Sequence, residues 1–211
     1  MRLVERDYIV IRELNRWRFM LGRQIWLLSG FSSKRTCDRR LKQLTEAGYI
    51  EWQYKLYGVP RLYTITGKGK KLIGSTTKPG KVRLEQIAHD IAVLDTVIYY
   101  HLKCNIGLDQ ITSEKQLHGI QDFEAPRRHE PDFIFFKGSK KSCVEVELTP
   151  KNKKRMVANM QGNYLPYAQQ IWIVPNQQKK ILRILQAHKK DYSNIGILPL
   201  ETVQEYVKGL G

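Results

Sequence analysis

The sequence predicts a mixed α+β chain built in two parts. Residues 1–75 read as a small helical unit closed by a hairpin, and residues 83–211 as a three-layer α/β domain around a mixed sheet. Three observations lead there. Apolar positions in 1–75 follow the order helix, helix, helix, hairpin. A polar stretch at 74–80, with Gly74, Ser75, two threonines, Pro79 and Gly80, marks a break, so 76–82 is the expected linker. The rest runs helix, strands, helix, strand, helix, the order of a layered domain. A length of 211 residues suits two small domains.

In the first part, Ile9, Ile11, Leu14 and Trp17 fall at helical spacing, and 24–29 is a short second helix closed by Gly30. Ser32 and Ser33 are N-cap candidates for a third helix over 34–47, because a serine hydroxyl satisfies an unpaired N–H at a helix start. Gly48 closes it. Residues 49–54 and 61–66 are the hairpin strands. In the second part, Leu84, Ile87, Ala88, Ile91, Leu94 and Ile98 form an apolar helical stripe. Residues 111–114 are a first strand, 133–136 and 143–148 a hairpin. Thr149 and Pro150 are expected to start the next helix. A strand at 170–174, a helix at 177–189, a strand at 195–198 and a helix at 203–210 follow.

The hairpin carries the chemistry. Two apolar runs flank Lys137-Gly138-Ser139-Lys140, a turn signal. With Gly138-Ser139 as a two-residue turn, Asp132 lies opposite Glu145. Glu147 shares the face of Glu145, since side chains alternate along a strand. Val144, Val146 and Leu148 then point to the core. Like charges facing each other across strands destabilise a sheet, and a divalent cation, Mg²⁺ or Mn²⁺, is the usual compensation. Glutamates on the wet face of an exposed strand give the same i, i+2 pattern; the facing Asp132 argues for a site.

The net charge is +16 with an isoelectric point near 9.8, which points to a polyanionic partner, DNA above all. Residues 1–80 hold 17 of the 36 Lys+Arg and only 6 of the 20 Asp+Glu, so the first part is the expected anchor. Lys34, Arg35, Arg39 and Arg40 crowd the third helix, and Lys55 and Arg61 lie on the hairpin. Lys151, Lys153, Lys154 and Arg155 follow the acidic strand at a helix start, where phosphate is favoured. Arg127, Arg128 and His129 precede the acidic motif and are further candidates for DNA contact. A charged, solvated helix face is the alternative for each cluster. Cys37, Cys104 and Cys143 are scattered, without a CxxC pair, which argues against zinc or a disulfide framework and suits a cytoplasmic setting. No signal peptide or membrane-spanning stretch is expected.

The passage LKQLTEAGYIEW…RLYTITGKGKKL, 41–72, resembles the recognition-helix-to-wing segment of winged helix-turn-helix domains. Pro131-Asp132 with Glu145-Val146-Glu147 resembles the PD-(D/E)xK, or restriction-endonuclease-like, superfamily, with Glu147 where lysine is usual. That resemblance implies Asp132 and Glu145 as Mg²⁺ ligands, Glu114 as an assisting ligand, Glu147 as proton acceptor and Lys151 as the cation on the phosphate. CVEVELTPKNKKRM, 143–156, and EQIAHDIAVLD, 85–95, resemble the replication-relaxation family, similar to the C class of conjugative relaxases. His89 is that family's recurrent histidine. The resemblance implies a nickase or relaxase acting at a plasmid transfer or replication origin, on duplex DNA with a single-stranded region, beside relaxosome or replication proteins. A non-enzymatic DNA-binding regulator is the alternative. No His-hydrophobic-His run exists, so tyrosine-based transesterification is not expected.

Overall fold

The computed structural model describes residues 1–77, 81–120, 129–150 and 152–211. They divide into two compact units, Met1–Leu94 and Asp95–Gly211. The expected linker, 76–82, lies within the first unit, with 78–80 outside the described residues. The fold is mixed α+β, with one three-stranded and one five-stranded sheet.

The first unit runs α1 (Glu5–Arg16), β1 (Met20–Leu21), α2 (Gly22–Leu28), α3 (Lys34–Glu46), β2 (Ile50–Gln53), β3 (Leu62–Ile65) and α4 (Gly67–Leu72). The strands form an antiparallel sheet in the order β1-β3-β2. β1 is too short to show a period and was not expected from sequence. Ser33 Oγ accepts the Thr36 N–H at 3.2 Å and starts α3. Gly48, at φ 74°, ends it: its own N–H reaches Thr45 O, and the Tyr49 N–H reaches Leu44 O. That left-handed position suits glycine. Leu14, Ile25, Cys37, Leu41, Leu44 and Ile50 fill the core.

Arg40 differs from its expected role as a DNA contact. Its Nε donates to Asp7 Oδ1 at 2.7 Å and its Nη2 to Asp7 Oδ2. Nη2 also reaches Arg2 O, and Nη1 reaches Gln43 Oε1. Asp7 is fully buried. The guanidinium fork therefore ties α3 to the start of α1, and the planar bidentate geometry explains why arginine stands there.

The first unit continues through a 3₁₀ turn, Leu84–Gln86, into α5 (Ile87–Leu102), which runs on into the second unit. The division between units falls inside α5. Leu84 and Ala88, expected on the apolar stripe, are exposed, whereas positions 92–100 are buried all round. Then follow a 3₁₀ turn (Leu108–Gln110), β4 (Ile111–Ser113), α6 (Glu114–Ile120), β5 (Phe133–Lys137), β6 (Lys140–Val146), α7 (Lys153–Tyr164), β7 (Gln169–Val174), α8 (Lys179–His188), β8 (Ile195–Pro199) and α9 (Leu200–Gly209). The sheet order is β4-β5-β6-β7-β8. β4, β5 and β6 pair antiparallel, and β6, β7 and β8 parallel.

Helices cover both faces, as a mixed sheet with parallel strands requires. Tyr100 of α5 stacks near Phe135 at 4.8 Å, and Tyr99 meets Tyr206 of α9. On the opposite face Met156, Met160, Ile181 and Leu185 of α7 and α8 pack on Trp172, Val174 and Ile195. Two boundaries differ from expectation. Ser113 and Gln116 form a reciprocal cap, Ser113 N–H to Gln116 Oε1 and Gln116 N–H to Ser113 Oγ, so Glu114 opens α6 instead of ending a strand. Asn152 Oδ1 accepts the Lys154 N–H at 2.9 Å and caps α7, displacing Thr149 and Pro150 from that role.

Two outcomes test this account. Arg40→Ala leaves the Asp7 carboxylate buried without its cation and should destabilise the protein by about 3 kcal/mol, read by urea unfolding, with Arg40→Lys recovering only part. Burial pushes the Cys37 thiol up to about 12 and raises Cys143 further, while Cys104 is partly exposed. A thiol reagent at pH 8 should label Cys104 in the native protein and reach Cys37 and Cys143 only on unfolding.

Candidate active site

Gly138, at φ 61°, occupies the first central position of the two-residue turn between β5 and β6, the place a type II′ hairpin reserves for glycine. The register runs from Lys137 opposite Lys140 to Phe133 opposite Val144. One step beyond come Asp132 and Glu145, as the sequence requires.

Glu145 and Glu147 are not wet-face glutamates. β6 is the central strand, and each is only 3% exposed. Glu145 Oε1 lies 2.7 Å from His129 Nε2 and accepts the Asn163 Nδ2–H at 2.9 Å. Burial raises the Glu145 carboxyl above the usual carboxylate range. The His129 hydrogen bond and charge pull it back down, the nearby Asp132 charge pushes it up, and the Asn163 bond lowers it. Asp132 Oδ2 accepts the Val146 N–H at 2.7 Å, and Asp132 O accepts the Glu114 N–H at 2.9 Å. Asp132 thereby ties the ends of β4, β5 and β6 together at the carboxylate site. Glu147 follows β6, its N–H donating to Ile173 O.

A cleft of about 840 Å³ opens here, lined among others by Thr112, His129, Lys141, Asn159, Asn163 and Tyr167. The Lys141 ammonium sits 4.8 Å from the Tyr167 ring centre. Asn159, 5% exposed, has a buried Nδ2 with no hydrogen-bond partner among the described residues. An unmatched buried donor lining a cleft asks for an acceptor from outside.

The other expected residues are placed as follows. Glu114 begins α6, partly exposed, with Oε1 3.6 Å from His118 Nε2. Lys153, Lys154 and Arg155 are exposed on the first turn of α7. Lys151, Arg127 and Arg128 lie outside the described residues. His89 belongs to the first unit, its Nδ1 3.6 Å from Asp90, which also holds Arg18 at 2.8 Å. Lys34, Arg35 and Arg39 are exposed on α3, and Lys55 and Arg61 on the β2–β3 hairpin. Another cleft of about 840 Å³ in this unit is lined by Arg23, Lys34, Lys42 and Arg61 together with Asp38 and Glu46. Among the described residues, no three His, Cys, Asp or Glu side chains gather as a metal-holding group.

Asn163 and Asn159 were not singled out from sequence, and neither was His129 as the partner of Glu145. The signal for the asparagines was present: they stand with Met156 and Met160 on the buried stripe of α7, four residues apart. Polar groups on an apolar stripe mark something to be hydrogen-bonded.

Comparison with known proteins returned no matching family model, no matching curated protein and no matching solved structure. The site therefore stands on its own geometry.

Asn163→Ala removes one of two hydrogen bonds to a buried carboxylate. It should lower stability by about 2 kcal/mol, read by urea unfolding near neutral pH.

Proposed function

We propose that this chain is a metal-dependent DNA endonuclease, with a winged-helix first unit that holds duplex DNA and a restriction-endonuclease-like second unit that cuts one strand. The observation that carries the reading is Glu145: a carboxylate buried in a central strand and held by His129 and Asn163, both of which line a cleft, with Asp132 at the facing register position. Three antiparallel strands continued by two parallel ones, with α7 connecting β6 to β7, are consistent with that superfamily.

The donor set suits a hard divalent ion. Magnesium is commonly held by one or two carboxylates, several waters and the substrate phosphate, so Asp132 and Glu145 suffice without a third protein ligand. Both hydrogen bonds to Glu145 fall on Oε1, which leaves Oε2 for a cation. When bound, Mg²⁺ or Mn²⁺ supplies an activated water and neutralises phosphate charge. His129 and Asn163 hold the Glu145 carboxylate in one orientation. Asn159 adds a polar side chain to the cleft wall beside Asn163. Lys153, Lys154 and Arg155, at the start of α7, attract the DNA backbone. By the resemblance to the restriction-endonuclease-like superfamily, Glu147 would serve as proton acceptor, Lys151 as a cation toward the phosphate and Glu114 as an assisting ligand. His89, on the first unit, is an accessory contact at most.

Lys34, Arg35 and Arg39 are the major-groove or phosphate contacts of α3, with Lys55 and Arg61 on the wing. Arg40 leaves this set because its guanidinium is bound to Asp7. The resemblance to the replication-relaxation family makes a plasmid transfer or replication origin in the cytoplasm the DNA to test first, with relaxosome or replication proteins as partners. No helix among the described residues is long and apolar enough to cross a membrane.

A second reading, a DNA-binding regulator without catalysis, has its own observation. Asp132 Oδ2 is engaged by the Val146 N–H, and no three-ligand group is present among the described residues. Two measurements separate the readings. Supercoiled origin plasmid should be nicked only with Mg²⁺ or Mn²⁺, and Asp132→Ala or Glu145→Gln should lower the rate at least about 100-fold while DNA binding persists. Calorimetry should show Mn²⁺ binding that Glu145→Gln removes. Mn²⁺ binding that is absent, or indifferent to Glu145→Gln, favours the regulator.

A further inference from the structure

The hairpin of the first unit carries aromatic surface that a phosphate-contacting wing does not require. Trp52 is 39% exposed, Tyr54 is 62% exposed, and Tyr57 stands fully in solvent. Trp52 and Tyr54 sit two residues apart along one strand direction and meet edge to face at 5.3 Å. The Arg61 guanidinium carbon lies 4.3 Å from the Trp52 ring centre, and its Nε donates to Tyr54 Oη at 3.1 Å. The three side chains form one ordered block. That block borders the cleft also lined by Arg23, Lys34 and Lys42.

Exposed aromatics in contact with an arginine have a specific use. Nucleobases stack on aromatic rings and on guanidinium planes, and neighbouring cations carry the phosphates. A base inside a duplex already has both faces covered by its neighbours, so only an unpaired base can use such a platform. The positive charge of this unit selects a polyanion over a second copy of the same basic chain. We propose that the Trp52–Arg61–Tyr54 block stacks on unpaired bases, so that the first unit binds DNA where duplex meets single strand. This rests on the DNA-binding reading of the first unit and adds the DNA structure it selects.

The test uses the full chain and three fluorescent DNAs: a blunt duplex, the same duplex with an oligothymidine tail, and oligothymidine alone. Wild type should bind the tailed duplex about tenfold more tightly than the blunt one. Trp52→Ala and Tyr54→Ala should each remove about that factor on tailed and single-stranded DNA and leave blunt-duplex affinity within about twofold. Trp52→Phe should retain most of it, and all variants should remain folded at the assay temperature, checked by circular dichroism. Lys34→Ala with Arg39→Ala should weaken all three DNAs. Equal losses on blunt and tailed duplex, or no gain from the tail, overturn the stacking proposal while DNA binding stands. Absence of binding to every DNA overturns both. Trp52-dependent self-association in sedimentation would assign the block to a protein contact and overturn the proposal as well.

Discussion

The buried carboxylate of Glu145 is the constraint around which the second unit is organised. A carboxylate in the central strand of a covered sheet loses most of its hydration, and hydrogen bonds recover only part of that loss. Its neighbours answer the penalty. His129 and Asn163 converge on one oxygen, and the facing Asp132 is turned to the Val146 N–H. Stability alone would favour an apolar side chain at this position, because replacing a buried charge by a well-packed apolar group is often neutral or favourable. An acid kept there in spite of this, raised above its ordinary ionisation range by burial and bonded to two residues that line a cleft, is a candidate for a functional role.

The first unit separates two uses of arginine that look alike in sequence. Arg39 and Arg40 are adjacent on α3, one exposed and one locked onto a fully buried Asp7. One helical step of 100° decides between them: Arg40 faces α1 and Arg39 faces solvent. The exposed positive charge of α3 is therefore carried by Lys34, Arg35 and Arg39, while the Asp7–Arg40 pair ties α3 to α1.

The hairpin was legible in the sequence because a two-residue glycine turn and strict alternation leave one register, so Asp132 opposite Glu145 followed directly. The N-cap at Ser33 and the closing Gly48 were legible because each has a local mechanism. What the sequence did not display depends on neighbours far along the chain. Burial of Glu145 on both sides requires knowing that β6 lies between β5 and β7. The pairing of His129 with Glu145 spans a strand, and that of Asn163 a helix and a crossover. The start of α7 moved to Asn152 because a side-chain amide outcompeted Thr149 and Pro150 as a cap. α6 was missed because a short helix directly following a strand shows no period of its own; only the Ser113–Gln116 box marked it.

Electrostatics finally distinguishes the two functional readings at the level of the site. A phosphodiester brought to Asp132 and Glu145 meets two acids, and beside a buried carboxylate such as Glu145 the repulsion is larger than in water. His129, with Nε2 2.7 Å from Glu145 Oε1, offsets part of that repulsion when it is protonated. Lys153, Lys154 and Arg155 add exposed positive charge at the start of the helix that carries Asn159 and Asn163. A divalent ion between the acids and the phosphate turns the same arrangement from repulsive to attractive. On the proposed DNA-binding reading, the acidic pair therefore either recruits a cation and becomes a cutting site, or repels the phosphate backbone and leaves contact to the first unit.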